Sequence, residues 1–216
     1  MYNHNVDTPL LTSKFEFPLK RSNIVARPRL VKRLNSNLFD AGVFSRKLTL
    51  VSAPAGYGKT TAISKWLENL KLDSTHQQLE KESGGIIKFD FAWLSLDEKD
   101  NDPTLFLKYI IGAFKRIHEN FGSSLETMFA VPKPPPAEML LTALISELSE
   151  FPSPTIFILD DYHFINSPSI HQQLDFIIDH LPRKMHLVIL TREDPLLPIP
   201  RLRVAGHLQE IRQEDL

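Results

Sequence analysis

The stretch Ala53-Pro54-Ala55-Gly56-Tyr57-Gly58-Lys59-Thr60 fits the spacing G-x-x-x-x-G-K-[ST] everywhere except its first position, where alanine stands for glycine. Residues of these types at this spacing suit the binding of phosphate. Successive backbone N–H groups must turn inward around the anion, and Gly56 and Gly58 can take the positive φ values that such a cradle requires. A helix opening at Thr60 adds the positive end of its dipole. From here Lys59 reaches β- and γ-phosphates and the Thr60 hydroxyl can coordinate Mg2+. The candidate nucleotide-binding residues of the loop run from Pro54 through Thr61.

A phosphate loop of this kind works with a carboxylate at the end of a neighbouring strand, which holds Mg2+. Ile156-Phe157-Ile158-Leu159-Asp160-Asp161 offers four apolar residues closed by two acids. Asp160 is the candidate Mg2+ partner beside Thr60, and Asp161 the candidate for orienting or deprotonating an attacking water. Thr191-Arg192 ends another apolar run. Arg192 there is either a cation that senses the γ-phosphate or a solvated strand-end arginine.

These groups must be positioned by particular elements. Residues 47–52 are β-prone, and residues 60–70 place Ile63, Trp66, Leu67 and Leu70 on one helical stripe, so the loop joins a strand to a helix. Further strands are expected at 89–96, 155–159, 186–191 and 207–211, and further helices from Pro28, over 104–121, 137–148 and 170–181. The polar stretch from Asp73 to Gly85 reads as an exposed loop. Strands alternating with helices predict an α/β fold, a mainly parallel five-stranded sheet with helices on both faces. About a hundred residues separate the two motifs, which suits a P-loop NTPase with an extra strand inserted between the motif strands. The expected organisation is a nucleotide-binding domain over 29–216, preceded by a segment, 1–28, that contributes to the nucleotide pocket.

Composition narrows the chemistry. The 216 residues carry a formal net charge of −1 and no cysteine, which excludes disulfides, thiolate metal sites and cysteine nucleophiles. Residues 1–47 hold nine Lys+Arg against three Asp+Glu, a solvated basic face or a phosphate or nucleic-acid contact. The eight histidines show no metal-binding spacing, so no metal beyond Mg2+ is implied, and no G-x-S-x-G elbow anchors a serine hydrolase. No apolar run approaches the roughly 18 residues of a membrane span, and Met1-Tyr2-Asn3-His4-Asn5 is no signal peptide. The expectation is a soluble, cytoplasmic protein without membrane contacts.

Ala55 to Thr61, Trp93-Leu94-Ser95-Leu96-Asp97 with Asn101-Asp102, Asp160-Asp161-Tyr162-His163, and Thr191-Arg192 ahead of Leu202-Arg203 together resemble the N-terminal nucleotide-binding domain of MalT-like, large LuxR-type transcription regulators, members of the STAND class of signalling ATPases. The resemblance covers residues 11–216. It implies a switch: an ADP-bound resting form, an ATP-bound form that self-associates in the full-length protein, and slow hydrolysis that resets it. It assigns Lys59 and Thr60 to phosphate and Mg2+, Asp160 and Asp161 to the Walker B pair, and Arg192 to a sensor. Ile24-Val25-Ala26-Arg27-Pro28 matches the stretch that helps hold the base, so Val25 and Arg27 join the candidate set. Asp97, Asn101 and Asp102 match a family signature that serves either chemistry or loop capping. The sensor and DNA-reading regions of such regulators have no counterpart in these residues, so no DNA binding is expected from this chain alone, which reads as a fragment or a truncated relative. Two alternatives stand beside the switch: a small P-loop kinase, with Arg201-Leu202-Arg203 as a phosphate-gripping lid, and a nucleotide-dependent scaffold that hydrolyses nothing.

Overall fold

The computed structural model describes residues 9–18, 27–73 and 88–216. Three apolar runs in it are buried along their whole length: β3 (Leu48–Ser52), β5 (Thr155–Asp160) and β6 (Met185–Thr191). Strands covered on both faces need helices on both sides, and the sheet that they form with β4 (Asp90–Ser95) and β7 (Leu208–Ile211) is parallel in the order β4-β5-β6-β3-β7. A short antiparallel hairpin, β1 (Phe39–Asp40) and β2 (Val43–Phe44), precedes it.

Alternate side chains along each strand feed two separate cores. On one face Val51, Trp93, Ile156, Ile158, Val188 and Leu190 pack with α1 (Pro28–Asn35) and α2 (Lys59–Asp73), where Leu34, Ile63 and Trp66 are fully buried. On the other, Leu50, Leu94, Phe157, Leu159 and Ile189 pack with α3 (Pro103–Lys115), α4 (Ser123–Ala130), α5 (Ala137–Ser149), α6 (Pro168–Asp179) and α7 (Ile199–Val204). Trp66 Nε1 donates to Asn35 Oδ1 at 2.7 Å and so joins α2 to α1.

The five strands and the inserted strand agree with the sequence expectation: β6 lies between the phosphate-loop strand β3 and the acidic strand β5. One helix does not. The segment expected to be helical over 104–121 ends at Lys115, and α4 follows as a separate helix. The chain turns at once, with the Arg116 and Ile117 N–H groups bonded three residues back to Ala113 O and Phe114 O, and Gly122 then opens α4, with φ +79 and its backbone so close to α3 that a Cβ would stand 2.2 Å from Ile111 Cγ2. The hairpin and α7 are also additions, both too short to show periodicity. Of the loop expected over 73–85, Asp73 closes α2 and the remainder lies outside the described residues. Among the described residues, no helix is long and apolar enough to cross a membrane.

Candidate functional site

Parallel pairing aligns the carboxyl ends of the strands at one edge. Ser52 is in register with Thr191, and Ser95 with Asp160. In open α/β sheets this edge is where ligands sit. The chain leaves β3 into the phosphate loop, where Gly56 (φ +88) and Gly58 (φ +76) both take the left-handed conformation expected of them. Ala53 has a negative φ, and its N–H donates to Thr191 O at 3.3 Å, so alanine serves at the first position without strain.

Lys59 begins α2 and is buried. Its ammonium donates to Ala53 O at 2.7 Å and Pro54 O at 3.2 Å, folding the side chain back over its own loop. Burial lowers its pKa; Asp161 and Asp160 oppose that shift and Arg192 adds to it. Arg27 approaches from the N-terminal side, with Nη1 donating to Tyr57 O at 3.4 Å and Nη2 3.4 Å from where a Cβ on Gly58 would lie. Val25, its companion in the expected base-holding stretch, lies outside the described residues.

The two motifs meet directly. Thr60 Oγ1 donates to Asp160 Oδ1 at 3.1 Å, and the Asp161 N–H donates to the same oxygen at 2.9 Å. Asp160 is 4% exposed, and burial, followed by the neighbouring Asp161 charge, pushes its pKa up to about 7. One carboxylate and one hydroxyl side by side are hard oxygen donors that fit Mg2+, which keeps several of its waters. Asp161 turns the chain with φ +58 and ψ +36, a left-handed conformation that Asp tolerates better than most residues. Arg192 is exposed just past β6, with its guanidinium carbon 5.9 Å from the Phe164 ring centre. The structure therefore brings Lys59, Thr60, Asp160, Asp161 and Arg192 to one edge.

His163 stands in the Asp160-Asp161-Tyr162-His163 motif, but sequence reasoning gave it no role. Its Nδ1 lies 3.7 Å from Asp161 Oδ1, and burial, with help from Arg192, lowers its pKa. Without metal spacing among the histidines it was read with the structural or surface ones, whereas its place two residues beyond Asp161 in the turn after β5 was the available signal.

The acidic signature after β4 resolves into turn chemistry. Asp97 accepts from the Lys99 N–H at 2.8 Å, and Asp102 caps α3 by accepting from the Leu105 N–H at 2.7 Å. Asn101 bridges two turns, donating to Phe164 O at 2.8 Å and accepting from the N–H groups of Asn166 and Ser167. Lys14 pairs with Asp97 at 2.8 Å and with buried Asp100, and these acids outweigh burial to hold its pKa up. The arginines of the kinase-like lid are engaged within the fold. Arg201 pairs with Asp175 and Asp179 of α6, and Arg203 with Glu210 of β7, while Leu202 between them is buried.

No family model matches the chain. It is 34% identical over 207 residues to the HTH-type transcriptional regulator MalT of Klebsiella pneumoniae subsp. pneumoniae, and equally to that of Klebsiella pneumoniae strain 342. The similarity spans 96% of this chain and 20% of each relative, so the chain spans about a fifth of their length. Among solved structures it resembles Cdc6p from Pyrobaculum aerophilum (TM-score 0.53, 19% identity, 94% of this chain and 49% of that one). The Aeropyrum pernix ORC1 protein, solved in complex with DNA, is similar too (TM-score 0.54, 15% identity, 87% and 45%). These likenesses show a P-loop NTPase fold, and the sequence similarity to MalT supports a nucleotide-binding regulatory module.

Proposed function

We propose that the chain is an ATP/ADP-binding switch module with slow Mg2+-dependent ATPase activity, the nucleotide-binding domain of a signal-responsive transcription regulator of the MalT type, working in the cytoplasm. The observation that carries this reading is the meeting of the two motifs, with the Thr60 hydroxyl on the Asp160 carboxylate and the buried Lys59 ammonium hydrogen-bonded to carbonyls of its own loop. Carbonyl oxygens are neutral acceptors, and phosphate oxygens offer the same ammonium a charge-assisted bond.

In this reading the loop N–H groups and the start of α2 cradle the phosphates, and Lys59 turns from Ala53 O and Pro54 O onto them. Thr60 and Asp160 would hold Mg2+, which when bound neutralises charge on the phosphate oxygens. Asp161 orients the attacking water and accepts its proton, and Arg192 steadies the charge that develops on the γ-phosphate. Arg27 closes the loop from the N-terminal side, which is the part that the segment 1–28 plays in the pocket. With ADP the module rests, and with ATP it supports self-association in a full-length protein. The kinase alternative loses its lid, because Arg201 and Arg203 are spent on Asp175, Asp179 and Glu210.

Releasing and identifying the nucleotide that copurifies with the chain tests the reading. ADP or ATP is expected from the wild type and none from Lys59→Ala. A wild-type preparation that neither carries nor takes up adenine nucleotide would overturn it.

A further inference from the structure

The turn that follows β5 is pinned from two sides. Beneath it the Tyr162 hydroxyl is hydrogen-bonded to His171 Nδ1 at 2.8 Å, and above it Asn101 holds Phe164 O and the N–H groups of Asn166 and Ser167. Between these anchors the His163 side chain is only 9% exposed, and neither ring nitrogen has a hydrogen-bond partner. A buried polar group left unpaired costs roughly 1–3 kcal/mol, and native folds seldom retain one without a use for it. Asp161 Oδ1 lies 3.7 Å from Nδ1, less than 1 Å beyond hydrogen-bond range. The Asp161 side chain is 43% exposed, so it can rotate to close the gap while the pinned turn stays where it is.

We infer that His163 is a positioning residue for Asp161: its Nδ1–H donates to the Asp161 carboxylate once nucleotide is bound and fixes that carboxylate toward the attacking water. This rests on the ATPase reading given above. A neutral imidazole has one N–H to give, and burial, then Arg192 and Lys59, favour the uncharged ring over the opposing pull of Asp161 and Glu193. The ring acts only through Asp161. It holds neither phosphate nor Mg2+, so nucleotide affinity does not depend on it.

The test compares His163→Leu, which fills the space without a donor, with His163→Asn, whose amide nitrogen can stand where Nδ1 does. Single-turnover hydrolysis of Mg·ATP is expected to fall about tenfold to a hundredfold in His163→Leu and to recover largely in His163→Asn, with ATP affinity unchanged within about twofold in both. Adding His163→Leu to Asp161→Asn should slow hydrolysis no further, because the two act as one unit. Nitrogen-15 spectra of the imidazole, taken with a non-hydrolysable ATP analogue and Mg2+, should show a hydrogen-bonded Nδ1–H that is lost in Asp161→Asn. Hydrolysis at the wild-type rate in His163→Leu, a parallel loss of ATP affinity, or an unbonded Nδ1 in the analogue complex would each overturn the inference. If wild type and Lys59→Ala alike bind no ATP, it is the functional reading that falls, and this inference falls with it.

Discussion

The proposed role of Asp160 and its surroundings pull its charge in opposite directions. As the proposed partner for Mg2+ it must be ionised, yet it is buried beside Asp161 and its pKa rises from 3.8 to about 7. The folded chain therefore keeps this proton at pH values where the unfolded chain has released it. The stability that goes with the proton is full below about 3.8 and is lost as the pH rises through about 7. Asp160→Asn keeps the shape without the charge, so in thermal or urea unfolding its advantage over wild type should grow by about 2–3 kcal/mol between pH 5 and pH 8. An advantage that stayed constant with pH would mean that Asp160 is not strained by its burial. The same residue explains why the site is costly to build: a carboxylate placed to meet a cation is a poor neighbour for a second carboxylate until the cation arrives.

At the scale of elements, α3 and α4 depend on a single position. Gly122 has both a left-handed backbone and no room for a Cβ, since Ile111 Cγ2 would be 2.2 Å away. Gly122→Ala should cost about 2–4 kcal/mol in urea unfolding, well above an ordinary surface substitution. This junction also shows where the sequence was hard to read. Apolar residues at helical spacing continue past Lys115 to Ile117 and Phe121, so periodicity alone extends the helix, whereas the backbone turns from Arg116 onward and starts α4 afresh at Gly122. The strands were legible because β3, β5 and β6 are continuous apolar runs with no competing helical pattern. That the phosphate-loop motif and the acidic pair lie together was legible because their types and spacings suit phosphate and Mg2+ chemistry. The roles of Asp97, Asn101 and Asp102 were not, because an acid that caps a turn and one that serves a site have the same letter, and only their partners tell them apart. Lys14 belongs with these, because a long-range ion pair leaves no local pattern.

Across the whole molecule, His186 joins more parts of the fold than any site residue does. It lies fully buried in β6, its Nδ1 donates to Arg46 O at 2.9 Å, and its Nε2 is hydrogen-bonded to the Thr49 hydroxyl of β3 at the same distance. Phe44 of the hairpin stacks on its ring, and Gln209 of β7, bonded to Arg33 O of α1, lies beside Thr49. Burial lowers its pKa from 6.5 to about 4. The unfolded chain therefore takes up this proton first, and the stability contributed by the neutral ring is present above 6.5 and lost as the pH falls toward 4. The loss should be on the order of 3 kcal/mol, seen as a urea midpoint that falls with acid in wild type and falls much less in His186→Gln. Equal acid sensitivity in the two would mean that the ring is not what ties the layers together at neutral pH.

The two-sided burial of β5 has a consequence for how such a chain can change over time. Its residues alternate between the two cores and its last residue is Asp160. Gaining or losing a single codon within it would send each apolar side chain beyond that point to the opposite core and shift the carboxylate along the strand by about 3.3 Å. Substitution among similar apolar residues leaves both intact. Divergence in this strand is thus open to exchange of letters and closed to changes of length, whereas the exposed turn joining α4 to α5 carries no such restriction.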